Sequence, residues 1–470
     1  MVAHMTRTTA LVLAIACAAV ACKEKNPAYC TSSADCGDGR VCHLDGAPPL
    51  NACIEVSPDA PGIACTDGGG CPSGTPICRN RVCVACAGTE CPAGRPVCSM
   101  DGTCGRCAQP VDCQSRADVR HQCEADAGAC VECLTSANCT AAATPVCEAA
   151  TCRACRADKE CAIFCASDTG ECVPDGDILY VQAGAAGAAC IAAAPCPTIA
   201  AALSRVTPGK RWWISVGAGI YTESVAISGM DVSLIGSGAR LVPPAGAGVT
   251  ISGAANVWIR GFEITATEQG VKCTGAGASK TTVRLTEDHL TRNSGNGLDA
   301  TNCAVVVERT IVEGGLGSQI GINLGTGCSF DLHDNVILSN RAGGITLMEP
   351  VTGGPSRFDF NTVIGNSNVG VACFVASMLD FRNNIVFGNG TQQTGGTNCT
   401  WHYSDIGPGV VATATNIDAD PMFVQAGDYH ISSLSPCYNT GDPAAAVGVD
   451  IDGDPRPLHG TADIGADEVK

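Results

Sequence analysis

Asn335-Val336-Ile337-Leu338-Ser339-Asn340-Arg341-Ala342-Gly343-Gly344-Ile345 returns 26 residues later as Asn361-Thr362-Val363-Ile364-Gly365-Asn366-Ser367-Asn368-Val369-Gly370-Val371. The shared outline is a polar residue, any residue, an apolar one, two more, Asn, three residues, then Gly and an apolar side chain. An earlier copy reads Asp288/Leu290/Asn293/Gly297-Leu298, and degenerate copies lie at Ile264/Thr267/Gly270-Val271, Arg309/Ile311/Gly321-Ile322 and Asn383/Ile385/Asn389. The central apolar positions Ile264, Leu290, Ile311, Ile337, Val363 and Ile385 are 26, 21, 26, 26 and 22 residues apart. A fixed period of that size marks a solenoid, each repeat burying its apolar face only against its neighbours.

The residues between these positions decide which solenoid. Short β-rich runs such as Ala304-Val305-Val306-Val307 and Gly343-Gly344-Ile345-Thr346-Leu347 alternate with Asn and Gly, with no amphipathic stretch of helix length between them. Asn and Gly are expected to supply the left-handed corners, and stacked Asn side chains to hydrogen-bond from coil to coil. The entry segment reads Ile178-Leu179-Tyr180-Val181, then Pro197-Thr198-Ile199-Ala200-Ala201-Ala202-Leu203, then Gly219-Ile220-Tyr221-Thr222-Glu223. The end carries Asp420-Pro421-Met422-Phe423, Ser435-Pro436-Cys437, Asp450-Ile451-Asp452-Gly453-Asp454-Pro455-Arg456 and Asp463-Ile464-Gly465-Ala466-Asp467-Glu468. Together these resemble the right-handed parallel β-helix of the pectin-lyase-like superfamily. The resemblance implies coils over 178–400, a capping helix at the Thr-Ile-x-x-Ala-Leu piece, and a closing segment over 401–470.

Ahead of the coils, 24 of the 34 cysteines form six consecutive groups of four: Cys30/36/42/53, Cys65/71/78/83, Cys86/91/98/104, Cys107/113/123/130, Cys133/139/147/152 and Cys155/161/165/172. Units of this size cannot bury enough surface to fold without staples. Two disulfides per unit are expected over 30–175, with all three connectivities open. The competing reading is zinc, since Cys83/Cys86 and Cys104/Cys107 have the spacing of a four-cysteine site. It is disfavoured because Cys91 and Cys98 intervene and because the N-terminus points to export. The array resembles cysteine-rich repeats of bacterial surface lipoproteins, which implies a protease-resistant stalk or a ligand-binding array.

His4 and Arg7 precede an apolar run over 10–21 that ends at Cys22 and Lys23-Glu24-Lys25-Asn26. The run is short of the ~20 residues needed to cross a bilayer and has the layout of a signal peptide. Ala19-Val20-Ala21-Cys22 resembles a bacterial lipoprotein signal, departing at Ala19 where Leu is usual. That implies removal of 1–21, lipidation of Cys22, a tether over 22–29 and, with Lys23 next to it, sorting to the outer membrane. Contact with the bilayer is expected through this lipid alone. The alternative is a cleaved signal with Cys22 unlipidated. The net charge of −18 repels phosphate backbones, so nucleic acid is not an expected partner.

Fold does not supply activity. Gly219-Ile220-Tyr221-Thr222-Glu223 resembles a pectin methylesterase segment, yet that family's later Asp and Arg motifs are missing, as are polygalacturonase and pectate lyase signatures. Tyr221 and Glu223 therefore read as structural. If the Gly-apolar strands stack in register, Lys272, Asp299, Asn323, Thr346 and Ala372 form an outward column. Lys272, Asp299, Asn323 and Thr346 are the ligand-binding candidates, and Lys272 with Asp299 are the catalytic ones, weighed against a solvated charge pair. Asp450, Asp452 and Asp454 imitate part of a calcium loop but lack its Gly and Glu. Turn chemistry is favoured over a structural calcium, and no other cofactor is expected. His289 and His333 read as corner residues, and Trp212 and Trp213 as packing. Expected disulfides are Cys190 with Cys196, Cys303 with Cys328, and Cys399 with Cys437, leaving Cys273 and Cys373 as buried thiols.

The favoured function is noncatalytic: an exported lipoprotein whose β-helix contacts polysaccharide or another cell-surface component. A polysaccharide lyase or hydrolase on the same scaffold is the alternative.

Overall fold

The computed structural model describes residues 91–470, apart from 99–102, 115, 117, 276–280, 318, 349–353, 410–412, 426 and 446–447, together with the strands Arg40–His43, Ala52–Glu55, Ile77–Arg79 and Val82–Val84. The expected signal peptide, lipidation site Cys22 and tether lie outside the described residues. The chain divides into two compact units, Met1–Val173 and Pro174–Lys470. Among the described residues no helix is long and apolar enough to cross a membrane.

In the first unit the third and fourth cysteines of each group face one another across a short antiparallel hairpin, as in Cys123 against Cys130, Cys147 against Cys152 and Cys165 against Cys172. Neither bonds to the other. The bridges are Cys107–Cys123 with Cys113–Cys130, Cys133–Cys147 with Cys139–Cys152, and Cys155–Cys165 with Cys161–Cys172, so the first cysteine pairs the third and the second pairs the fourth. Cys91–Cys104 continues the rule. A closed loop of this size contributes about 3 kcal/mol in the chain-entropy account. The zinc reading fails here, because Cys104 and Cys107 are spent in separate disulfides.

The second unit is a parallel β-solenoid of about eight turns. Each coil contributes one strand to each of three sheets. The first sheet stacks Val249–Ser252, Val271–Thr274, Leu298–Thr301, Ile320–Leu324 and Gly343–Met348. The second stacks Trp212–Val216, Thr281–Thr286, Cys303–Glu308, Ser329–His333 and Ser356–Asp359 with the strands around them. The third stacks His289–Thr291, Ile311–Glu313, Val336–Leu338, Thr362–Ile364, Ile385–Phe387 and Asp405–Gly407. Inward side chains such as Ile251, Leu285, Leu290, Phe330, Ile337, Val363 and Phe381 are fully buried in one continuous core.

Two pattern positions shift. The third-sheet column runs Ile264, Leu290, Val312, Ile337, Val363, Val386. Ile311 and Ile385, which the pattern placed inside, are one residue off and face outward, since a slip of one exchanges the two faces of a strand. The apolar residue that follows each of them, Val312 or Val386, hid the parity.

The corners also differ from the expectation. Between the second and third sheets the left-handed residues are Glu287, Arg309, Asp334, Phe360, Asn383 and Tyr403, all with positive φ. Most belong to types that rarely adopt that region. Each precedes a ladder residue: Asp288, Thr310, Asn335, Asn361, Asn384 or Ser404. These side chains are buried and accept the backbone N–H of the coil before, as in Asn335 N to Asn361 Oδ1 (3.2 Å) and Asn361 N to Asn384 Oδ1 (2.9 Å). A second ladder lies beyond the next corner, through Asn340, Asn366 and Asn389. Asn366 Nδ2 donates to the carbonyls of Ile337 and Ile364 and to Asn389 Oδ1. The ladders hold the strained corners; at this corner asparagine takes the left-handed conformation only at Asn383, whereas before the second ladder Gly314, Gly365 and Gly388 supply it as expected, beside Arg292 and Ser339.

One end is capped by the helix Ile199–Leu203, with Ile199 and Ala202 fully buried against the first coils. Thr198 Oγ1 accepts Ala201 N, and the Glu223 carboxylate accepts Ile199 N and Ala200 N at 2.7 and 2.9 Å. Tyr221 Oη donates to the Gly217 carbonyl and accepts Ala183 N. Glu223 thus caps the helix and Tyr221 ties together two backbone segments beside it, a structural role for each. After Gly407 the chain leaves the coils and packs along the outside of the third sheet, burying Val336, Leu338 and Ile385 beneath Ile431, Ile451, Ile464 and Ala466.

Cys190–Cys196 is a disulfide. The other two expected pairings are replaced by Cys273–Cys303 and Cys373–Cys399. Cys273 and Cys373 are therefore oxidised and not thiols, while Cys328 and Cys437 are free and buried. The reason is geometric. Each bridge joins an inward residue on a first-sheet strand to the second-sheet strand one coil later. Cys328 has the second-sheet position, but Ala300 is the register partner of Cys273 where its partner would stand. Cys437 lies instead against Asp405, its Sγ donating to Oδ2 at 3.2 Å.

Candidate functional site

The first sheet aligns Thr250, Lys272, Asp299, Asn323, Thr346 and Ala372 as successive register partners. Alternation explains the column, since Val271 and Cys273 point inward and Lys272 between them must point out. Lys272, Asp299, Asn323 and Thr346 are each half-buried. Steps of about 4.8 Å put them on a straight, rigid line. Among the described residues no ion pair joins Lys272 to Asp299, although they are adjacent. Asp299 Oδ1 instead accepts Asn323 Nδ2 at 2.7 Å and Asn296 Nδ2 at 3.2 Å. Asn296 is itself fixed, its Oδ1 accepting Ile320 N.

The second sheet carries a denser network that the sequence reading missed. Its outward face aligns Arg260, Thr286, Glu308, His333 and Asp359, with Trp258, Arg284, Val306 and Asp331 in the adjoining column. Trp258 Nε1 donates to Thr286 Oγ1, which donates to Glu308 Oε1, and Arg284 Nη2 reaches the same oxygen at 2.6 Å. His333 bonds Asp334 through Nδ1 and lies 3.6 Å from Glu308 Oε2 through Nε2. Burial pushes the Glu308 carboxyl up, but the Arg284 guanidinium and nearby cations outweigh it and leave it below its ordinary range. Glu308 is thus a committed carboxylate and no proton donor. His289 likewise bonds Glu313 at 2.8 Å. Trp213 packs edge-on against Trp258, both buried. Only the coil register brings these residues together; taken one strand at a time they are a scatter of surface charges.

The calcium-like Asp450, Asp452 and Asp454 do converge, and His430 with Asp467 joins them through Asp452. Their oxygens are already engaged. Asp450 accepts the N–H groups of Asp452, Asp454 and Glu468, which is turn chemistry. Asp452 takes His430 Nε2 at 2.8 Å, and Asp454 takes Lys470 Nζ at 3.0 Å. Burial lowers His430, but its bonds to Asp428 and Asp452 more than restore it, so its pKa is raised. Burial pushes Asp467 up to about 6. Protein donors thus engage each of these carboxylates: backbone N–H groups at Asp450, His430 at Asp452 and Lys470 at Asp454.

No family model and no curated protein matches the chain. Among solved structures, the crystal structure of pectate lyase Pel9A is similar to it, at 15% identity over 62% of this chain and 96% of that one, with a TM-score of 0.38.

Proposed function

We propose that this chain is an exported protein, lipid-anchored through Cys22 at the outer membrane, whose solenoid binds polysaccharide along the first sheet without cleaving it. The observation that carries the reading is the column Lys272, Asp299, Asn323, Thr346, half-exposed and in register. An ammonium, an amide and a hydroxyl at even spacing offer donors and acceptors to a chain of hydroxyl or carboxylate groups. Strands supply the rigidity that repeated weak contacts require. Noncatalysis is favoured by Asp299, whose Oδ1 already accepts two amide donors. Glycoside hydrolysis uses two facing carboxyl groups about 5–9.5 Å apart, and the described residues of the column contribute one.

Incubation of the full chain with acidic and neutral glycans tests the reading. Retention without new ends supports it, with Lys272→Gln and Asn323→Ala each weakening retention severalfold. New unsaturated or reducing ends establish the lyase or hydrolase alternative, and no retention by any glycan refutes the binding. Mass spectrometry of the mature N-terminus tests the anchor separately: an unmodified Cys22 overturns it.

A further inference from the structure

The two ends of the solenoid are unequal. The entry end is closed by the helix Ile199–Leu203. At the other end the last long strand, Gln392–His402, pairs on one edge with Val369–Arg382, and among the described residues no strand pairs its other edge. The closing segment reaches the C-terminal end of this strand and the chain beyond it: Asn416 Nδ2 donates to the Trp401 carbonyl, and Ile417 brackets Ser404 and Ile406. The inward residues record the difference. Phe381 is fully buried one coil in, whereas Trp401 and Cys399 at the end are partly open.

An unpaired edge is a template for another strand, and proteins usually blunt it with charge, Pro or a cover. Residues 392–402 contain no Asp, Glu, Lys, Arg or Pro, in a chain of net charge −18. Beside the edge, on the preceding strand, Phe374 and Met378 are 57% and 64% exposed. Gly396 and Asn398, both with positive φ, bend the strand about its midpoint, Thr397.

We infer that this edge is a self-association site, at which two copies of the chain pair strand 392–402 about a two-fold axis. A second copy is the occupant that brings a free edge of matching length, and the neutral strip lets two acidic chains approach without like-charge repulsion. Two-fold symmetry makes the pairing antiparallel and self-complementary. The half before Thr397 then meets the half after it in the partner, and Thr397 meets its own copy.

Light scattering on the purified full chain over a dilution series tests this. The expected result is twice the chain mass at tens of micromolar, falling to the single mass for Thr394→Lys/Thr397→Lys with unfolding midpoints unchanged. A single mass for the parent at that concentration overturns the inference, as does a double variant that remains dimeric. Should the double variant misfold, Thr397→Cys decides: oxidation is expected to cross-link it into a covalent dimer beyond the parent's background, and no gain overturns the pairing.

Discussion

Asp288 occupies a rung that asparagine fills at positions 335, 361 and 384, and this makes Asp288→Asn the sharpest test of the ladder. The carboxyl is buried, accepting Phe262 N at 2.8 Å and Thr286 N at 3.3 Å. Burial pushes its pKa from 3.8 up to about 8. The folded state therefore binds a proton that the unfolded state releases, so stability is lost as pH rises from about 4 and levels off above about 8. The loss runs at about 1.4 kcal/mol per pH unit, or on the order of 4 kcal/mol at pH 7 before any relief from water entry. Asparagine has no such titration, and its amide can donate as its counterparts do. Urea unfolding of parent and variant at pH 5, 6, 7 and 8 measures the difference, which cancels the other titrating groups. The variant is expected to gain about 2–4 kcal/mol at pH 7, the gain widening with pH. A difference that stays flat from pH 5 to 8, or a variant less stable at pH 8, refutes the reasoning.

Asn361→Ala removes an amide that donates to the Leu332 carbonyl and to Asn384 Oδ1. Buried groups left unsatisfied cost about 1–3 kcal/mol each, so the urea midpoint should fall by a corresponding amount, while a distant surface Asn→Ala does not move it. Ala300→Cys is expected to bridge Cys328 and lower the titratable free thiol count by one, whereas a count raised by one would contradict the register. Arg456→Met strips a buried guanidinium lying over Phe360 and 3.7 Å from both Asp334 and Glu468. Breaking such a pair costs about 3–5 kcal/mol, and proteolysis after residue 408 should accelerate. The raised pKa values of His430 and Asp467 act in one direction: contributions present in acid are lost as pH climbs through the folded-state values. Hydrogen-exchange protection over 428–467 should accordingly weaken between pH 5 and 8, and His430→Gln should reduce that dependence.

The period and the outward column were legible because both arise from strand alternation, which the Gly-apolar motif fixes at Val271, Leu298, Ile322, Ile345 and Val371. Ile311 and Ile385 were misplaced because Val312 and Val386 beside them are equally apolar and the ladder spacing alone does not choose. The disulfides were misassigned for a related reason. Neighbouring coils put Cys303 and Cys328 at like positions, but the bridges run diagonally across the bore, from first sheet to second. The Trp258, Arg284, Glu308 and His333 network needed a register that pairs residues 22 to 28 apart at varying spacing. The four-cysteine units left connectivity open because hairpin formation, not cysteine spacing, selects the first-to-third pairing.

The segment after Gly407 also bears on how the molecule is made. Coils contact only adjacent coils and could form one after another along the chain. The returning segment breaks that locality: Ala466 N donates to Thr362 Oγ1 across 104 residues, and Arg382 reaches Asp442 across 60. Those contacts await residues far along the chain, so this step of folding should be slow relative to coil growth. Once in place, the segment ties several coils together, and an array that would otherwise fray turn by turn must open as a single block.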